Sequence, residues 1–206
     1  DADGVCDAAE FFSPAGIAIS PDGSALFVVD FNNDKIRRVE VATGAVTTVA
    51  GSTMGSADGV GGAAQFHLPS DVAISPDGSA LFVTDANNHK IRRVEVATGA
   101  VTTLAGSGTE GSADGVGGTA QFRNPLGVAV SADGSTLLVC TKDGGLRQVC
   151  VSAPPPPPTF APMVVPPSAR VVTAPVATST RRILWLPESA TNIALPSGLM
   201  ATSIGL

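Results

Sequence analysis

Short apolar runs separated by turn-forming residues recur along most of the chain. In one period the runs are DVAIS, LFVTD, KIRRVEV and AVTTLAG, and the links between them are PDGS, ANNHK and ATG. None of these Val-, Ile-, Thr-, Leu- and Phe-rich runs is long enough for a helix, so they predict strands. Pro and Gly in PDGS and the paired asparagines in ANNHK favour tight turns. Each period therefore predicts a small four-stranded antiparallel sheet.

The period is fixed by near-identical copies. KIRRVEVATGAVTTVAG at 35–51 returns as KIRRVEVATGAVTTLAG at 90–106, and Pro14, Pro69 and Pro125 mark one place at intervals of 55 and 56 residues. A four-stranded sheet cannot bury both of its faces alone, so it must stack on similar sheets. The size of the unit and its repetition predict the blades of a β-propeller.

These motifs resemble NHL repeats of a long-period kind. An Ala-Phe stretch, Pro, DVAISPDG, LFVTDANNHKIRRV and VTTLAGSG carry the resemblance, which covers residues 1–151. It implies an all-β fold, a partial β-propeller of about three four-stranded antiparallel blades in 1–152, with repeats at about 12–66, 67–122 and 123–152. The repeat sequences also resemble those of large secreted algal and protist glycoproteins, including mastigoneme-like flagellar proteins with proline-rich stretches.

The sequence provides fewer strands than a closed ring requires. NHL propellers usually close with six blades, but eleven strands are predicted here, four in 15–50, four in 70–105 and three in 127–151. The glycine-rich segments, such as GSADGVGGAAQFHLP, are interpreted as connections, and no strand is expected before the first blade. Two open edges follow, which another copy, another polypeptide or the remainder of a longer chain would cover.

The composition changes after residue 152. A proline-rich linker with polyproline II geometry is expected at 153–168, and an extended tail that can form strands at 169–206. The tail segments ARVVTAPVAT, RRILWLP and TNIALPS are either weakly ordered linker or strands donated to an open blade edge. Trp185, between two leucines, is the expected anchor of such a donated strand.

The proline run suggests an extracellular location. The resemblance to secreted algal glycoproteins implies hydroxylation and O-glycosylation of five consecutive prolines, Pro154, Pro155, Pro156, Pro157 and Pro158. The alternatives are an undecorated spacer and a ligand for a proline-recognition domain. No Asn-x-Ser/Thr sequence occurs, so N-glycosylation is not expected.

The cysteines suggest the same compartment. Cys140 and Cys150 are predicted on neighbouring strands of the third hairpin, where a tight turn would place them opposite each other and allow a disulfide. Thr84 and Glu95 occupy the sibling positions, and the joint appearance of two cysteines favours a bond over two buried free thiols. Cys6 would then pair with another chain. A disulfide implies an oxidising, extracellular location.

Charge argues against nucleic acid and membranes as partners. Acidic residues exceed basic ones by 18 to 12, there is no tyrosine to stack on bases, and no apolar run reaches the ~20 residues of a membrane helix. Two arginine pairs, Arg37 with Arg38 and Arg92 with Arg93, lie beside glutamates. They are expected on solvated strand faces, where they can form inter-blade salt bridges.

No residue pattern points to metal binding or catalysis. His67 and His89 occupy different places in the repeat and lack companions at metal-ligand spacing. Aspartates recur in ADG (Asp3, Asp58, Asp114) and in DG turns (Asp22, Asp77, Asp133). Each is a single Asp followed by Gly rather than a calcium-ligand series, so each is expected to bond the backbone of its own turn. No cofactor is expected.

The sequence therefore predicts a non-catalytic assembly module of an extracellular glycoprotein at the cell surface, which builds a fibre or coat through open blade edges and a proline-rich arm. The expected partners are other copies or other chains of the same fibre, together with O-linked glycans. One alternative is a ligand-binding propeller that recognises a protein or glycan. Another is a propeller enzyme of the lyase or lactonase type.

Overall fold

A computed structural model describes residues 2–151, and strands are the main regular elements in this range. Thirteen strands lie in this part of the chain: β1 (Gly4–Val5), β2 (Pro14–Ile19), β3 (Ala25–Asp30), β4 (Lys35–Glu40), β5 (Ala45–Ala50), β6 (Gly59–Val60), β7 (Pro69–Ile74), β8 (Ala80–Asp85), β9 (Lys90–Glu95), β10 (Ala100–Ala105), β11 (Pro125–Val130), β12 (Thr136–Thr141) and β13 (Leu146–Cys150). Single 3-10 turns lie at Cys6–Ala8, Phe31–Asn33, Gly61–Ala63, Ala86–Asn88 and Gly117–Thr119.

The strands form three antiparallel sheets that correspond to the predicted blades. The strand order is β1-β5-β4-β3-β2 in the first blade, β6-β10-β9-β8-β7 in the second and β11-β12-β13 in the third. Each blade is built from consecutive hairpins, as the turn sequences indicate. The innermost strands β2, β7 and β11 lie next to one another in that order, so the blades stack in chain order. The predicted all-β fold is confirmed.

Two short strands lie where the sequence predicts only polar connections. β1 pairs with β5, with Gly4 opposite Val46, and β6 pairs with β10, with Gly59 opposite Val101. The predicted total of eleven strands and the absence of a strand before the first blade are therefore wrong. A two-residue strand is too short to show the alternation on which strand prediction depends. Each of these connections hydrogen-bonds to the outer strand of the blade that follows it.

Apolar side chains fill the two spaces between the blades. Phe27 of the first blade packs with Leu81 and Val83 of the second, whereas Phe82 of the second packs with Leu137 of the third. Successive residues of a strand point to opposite faces, so β8 serves both interfaces with alternate side chains. The middle blade is consequently buried on both faces.

Several predicted features lie outside the described residues. These are the proline-rich linker, the five-proline run, the extended tail and Trp185, all of which remain predictions. Within residues 2–151, no helix has the length and apolar character needed to cross a membrane.

Candidate assembly site: buried arginines and exposed blade surfaces

A buried arginine joins the second blade to the connection that precedes it. Arg92 lies on β9 with a fully buried side chain, 2.7 Å from Asp85 of β8 and 2.7 Å from Asp58 of the connection. Its guanidinium also donates to two backbone carbonyls of the connection and lies 5.2 Å from the centre of the Phe66 ring. One side chain therefore holds the strand, the hairpin end and the connection together.

The first blade repeats this arrangement. Arg37 is fully buried, 2.9 Å from Asp30 and 2.7 Å from Asp3, and lies 5.2 Å from the Phe11 ring. The Nε atoms of Arg37 and Arg92 are buried without a hydrogen-bond partner among the described residues. The repeated cluster is a structural element of the joint between consecutive repeats.

The prediction that all four arginines lie on solvated faces is wrong for the first of each pair. Arg38 and Arg93 are partly exposed and pair with Glu40 and Glu95 on their own strands. Arg92, in contrast, lies on the face of the second blade that the first blade covers. Arg37 is equally buried on the open face of the first blade, because the connection that precedes each blade covers the guanidinium, and alternation along one strand does not reveal this cover.

In the first two repeats, the aspartate of the ADG connection binds the outer strand of the following blade, whereas Asp114 of the third repeat binds Arg147. Asp58 accepts the backbone N–H of Thr103 at 3.1 Å and its hydroxyl at 3.0 Å, and Asp3 binds Thr48 in the same manner. Burial raises the pKa of Asp58, but hydrogen bonds from Thr103 and the charge of Arg92 outweigh it, so the pKa lies below its ordinary value. The prediction that Asp3 and Asp58 bond their own turns is wrong.

The aspartates of the DG turns behave as predicted. Asp22 accepts the Ser20 hydroxyl at 2.6 Å and the Ser24 backbone N–H at 3.1 Å, and Asp77 and Asp133 repeat both contacts with their own neighbouring serines. The serine hydroxyls and backbone donors lower the pKa of each of these aspartates to about 2. These carboxylates stabilise the turns and are occupied there.

Hydrogen bonds between side chains and backbone join successive blades. Asp34 accepts the N–H of Leu68 at 2.8 Å, and His89, at the same place in the next repeat, accepts the N–H of Asn124 through Nδ1 at 3.2 Å. Asp34 and His89 both adopt the left-handed backbone conformation, with positive φ angles of 53° and 55°. His89 therefore has a structural contact that the sequence did not reveal. Within residues 2–151, no group of three or more His, Cys, Asp and Glu side chains could hold a metal ion.

The outward face of the first blade exposes residues whose counterparts are buried in the second. Ile17 and Ile19 are each 59% exposed, whereas Val72 and Ile74 at the equivalent places of β7 pack against the first blade. Among the described residues nothing covers the part of this face that carries Ile17 and Ile19. It retains the apolar character of an inter-blade surface.

The outward face of the third blade is open in the same way. Leu138 and Leu146 are 47% and 66% exposed, whereas Phe82 and Ile91 at the equivalent places of the second blade are buried against the third. The described arc therefore ends in two apolar faces of complementary type. One resembles a surface that receives a preceding blade, and the other resembles a surface that receives a following blade.

The structure does not form the predicted disulfide. Cys140 lies opposite Leu146 and Cys150 lies opposite Thr136, so the two cysteines are four residues apart along the ladder. At about 3.3 Å per residue, that offset exceeds the Cα–Cα distance of about 7 Å that a disulfide can span. Both thiols, and that of Cys6, are free and exposed. The hairpin is one residue shorter, as predicted, but the remaining pairs keep the register of the preceding blade.

These stacked hairpin sheets, with their repeated inter-blade connections, define a β-propeller arc with an NHL-type repeat fold. No established family profile matches the chain. NHL repeat-containing protein 2 of Gallus gallus is 28% identical over 203 residues, which are 92% of this chain and 28% of that protein. Protein SUPPRESSOR OF QUENCHING 1, chloroplastic, of Arabidopsis thaliana is 31% identical over 148 residues, which are 68% of this chain and 14% of that protein.

Solved structures show the same architecture. An auxiliary nutrient binding protein of Bacteroides thetaiotaomicron superimposes with a TM-score of 0.58 and 25% identity, over 65% of this chain and 36% of that one. The alignments with the Gallus gallus and Arabidopsis thaliana proteins each span less than a third of those proteins. The partial propeller of NHL-type blades predicted from the sequence is confirmed, whereas the similarity to mastigoneme-like proteins has no support from these comparisons.

Proposed function

We propose that this chain is a non-catalytic, protein-binding module of an extracellular glycoprotein, which joins other copies or other chains of a fibre or surface coat. The observation that carries the proposal is the exposure of apolar inter-blade residues at both ends of the described arc. The likeness to NHL repeat-containing proteins and to a nutrient binding protein supports a binding role for the propeller in general. The fibre and the O-glycosylation of the proline-rich arm are supported by the sequence alone.

The binding surfaces follow from the blade interfaces inside the molecule. Where the first and second blades meet, Phe27 and Val29 of one sheet pack on Val72, Leu81 and Val83 of the other. An incoming blade can make the same contacts with the face that carries Ile17 and Ile19. Burying a side chain of this size contributes about 1.5–3 kcal/mol, so a few such residues supply the energy of a specific contact.

Sedimentation of the full chain across a range of concentrations tests this proposal. The variant Ile19→Lys places a charge on the exposed apolar face and is expected to shift the protein towards the monomer. The matched control is Met54→Glu, because Met54 is also exposed and the next repeat carries Glu110 at the same place. A parent chain that remains monomeric at every concentration, or equal behaviour of the two variants, contradicts the part of the proposal in which copies of this chain associate with each other.

The proposed glycosylated arm is tested separately. The intact mass of protein isolated from its native source is compared with the mass of the unmodified polypeptide, and the peptide with Pro154–Pro158 is then mapped. We expect added oxygen atoms and pentose or hexose units on these prolines. An unmodified peptide would exclude the extracellular glycoprotein part of the proposal and leave protein binding by the blades intact.

A further inference from the structure

The connection before each blade carries a phenylalanine at the same place: Phe11, Phe66 and Phe122. Phe66 and Phe122 are buried, and each packs in one core cluster with an isoleucine of the preceding blade, Ile36 and Ile91 respectively. In the part of the chain that the structure describes, no blade precedes Phe11, and its ring is only half-buried. The connection phenylalanine therefore fills the space between two consecutive blades wherever a preceding blade is present.

The ring of Phe11 is already held as its buried counterpart is held. The Arg37 guanidinium lies 5.2 Å from the centre of the Phe11 ring, and Arg92 lies 5.2 Å from that of Phe66. In both repeats the same guanidinium accepts the support of a hydrogen bond to the backbone carbonyl just before the ring. Because the ring is fixed in advance, little conformational entropy is lost when another surface covers it.

The outward face of the third blade has the surface that receives such a ring. Leu146, which is exposed, stands at the place of Ile91, which packs with the connection phenylalanine of the next repeat. Cys140 on the same face is exposed, whereas Thr84 at the equivalent place is fully buried and lies 3.4 Å from a backbone carbonyl of the third blade. One end of the described arc thus supplies the phenylalanine, and the other end supplies the surface on which it packs.

We propose that the outward face of the third blade binds the first blade of a second copy, with Phe11 of that copy packed on Leu146, in the register of successive blades within the chain. This inference rests on the proposed function and identifies its partner as the opposite end of the same protein. The contact joins two unlike surfaces, so a pair of copies retains one free face of each type. The contact can therefore repeat from copy to copy, as a fibre requires.

The same register defines a polar contact at the new junction. Arg93 of the second blade lines a groove with Asp133 of the third, and the junction of the first and second blades has the same two residue types at these places. In the third blade Gln148 lies opposite Leu138, as Arg93 lies opposite Phe82. The proposed contact therefore places Gln148 beside Asp22 of the second copy.

Two variants that block opposite ends test the inference in the full chain. Ile19→Lys charges the first-blade face and Leu138→Lys charges the third-blade face, and both side chains are about half exposed or more, so the fold should be retained. Each variant alone should sediment as a monomer where the parent associates, because every junction needs both faces. An equimolar mixture should form a one-to-one complex, because one intact face of each type is present.

The native thiol of Cys140 reports which face is covered in this mixture. In the Ile19→Lys copy it should react with N-ethylmaleimide about ten-fold more slowly than in that variant alone, when about nine tenths of the copies are in the complex, because only free copies expose it. In the Leu138→Lys copy the rate should not change on mixing. The substitution at Leu138 lies close to Cys140 in sequence, so mass spectrometry of the labelled peptides separates the two copies.

A matched control separates the face from the added charge. Val116 is exposed, and Val60 at the same place in the second repeat also stays exposed although a blade lies on each side. Val116→Lys should therefore associate as the parent does. A loss of association in Val116→Lys equal to that in Ile19→Lys would overturn the inference.

The remaining outcomes separate this inference from the proposed function. A one-to-one complex with protection of Cys140 in the Ile19→Lys copy alone supports the inference. A parent that associates while Leu138→Lys has no effect, or variants that stay separate when mixed, overturn the inference and leave protein binding through another surface standing. A parent that never associates overturns the inference and leaves binding to other chains of a fibre standing.

Affinity measurements at Gln148 give a second test that does not depend on the blocked variants. Gln148→Arg restores the residue type of the internal junctions and should lower the dissociation constant for self-association about two- to five-fold at low salt, as exposed ion pairs do. Gln148→Glu should raise the dissociation constant by a similar factor, because Asp22 carries the same charge. Equal dissociation constants for these two variants would contradict the proposed register.

Discussion

Two adjacent arginines of β9 provide a sharp test of the buried clusters. Arg92→Met removes the partner of Asp85, a fully buried carboxylate that keeps only the Asn88 amide and one backbone N–H as donors. Breaking a buried ion pair from one side costs about 3–5 kcal/mol. Arg93→Met removes a pair with Glu95 whose members are both about one third exposed or more, and such surface pairs contribute about 0–1 kcal/mol. The two variants change the same residue type by the same number of atoms.

The assay is urea unfolding followed by circular dichroism, at one fixed protein concentration because association would add to the apparent stability. With a denaturant dependence of about 1–3 kcal/mol per molar urea, the midpoint of Arg92→Met should fall by about 1 M or more. The midpoint of Arg93→Met should fall by at most about one third of the shift expected for Arg92→Met. Similar midpoints for the two variants would refute the view that one arginine holds the joint between repeats and the other does not.

Two further predictions follow from the turns and connections. NMR titration of Asp22, Asp77 and Asp133 should give pKa values of about 2, below the ordinary 3.8. The contribution of these carboxylates to stability is therefore present above pH 3.8 and is lost as the pH falls towards 2. Measured pKa values near 3.8 would contradict the turn contacts. Gly51→Ala should lower the free energy of unfolding by more than about 1 kcal/mol, because its φ is +98° and an added Cβ would meet a backbone oxygen. Gly62→Ala, with open space at that place, should be neutral or stabilising by up to about 1 kcal/mol, and equal effects of the two would count against this explanation.

The pattern of apolar and turn-forming residues was sufficient to predict the blades, because every main strand has five or six residues bounded by turn sequences. The role of Asp58 was not visible at that scale. Its partners Arg92 and Thr103 lie 34 and 45 residues away, and local reasoning assigned the carboxylate to its own turn. A signal did exist, since Asp3 precedes Arg37 by the same 34 residues. Conserved intervals between charged residues in a repeat indicate contacts that neighbouring residues do not.

The open surfaces and the cysteines show two other limits. Ile17 and Val72 occupy the same place in identical patterns, and only the order of blades makes one exposed and the other buried. Two residues on paired strands can form a disulfide only in the correct register, and one residue of loop length was not enough to fix where Cys140 and Cys150 fall. Position within an array and register are properties of the assembled chain.

The pairing of each connection with the blade after it has a consequence for how such a protein can change in length. Because Asp58 lies in one sequence period and Arg92 in the next, the contact that closes a blade spans the boundary between periods. Excision or duplication of one 55-residue period, made between any two equivalent points, would rebuild that contact at the new junction. Whole periods can therefore be gained or lost in the gene without leaving an arginine or its aspartate unpaired at the junction. Arrays with different numbers of repeats would then use the same contacts between blades.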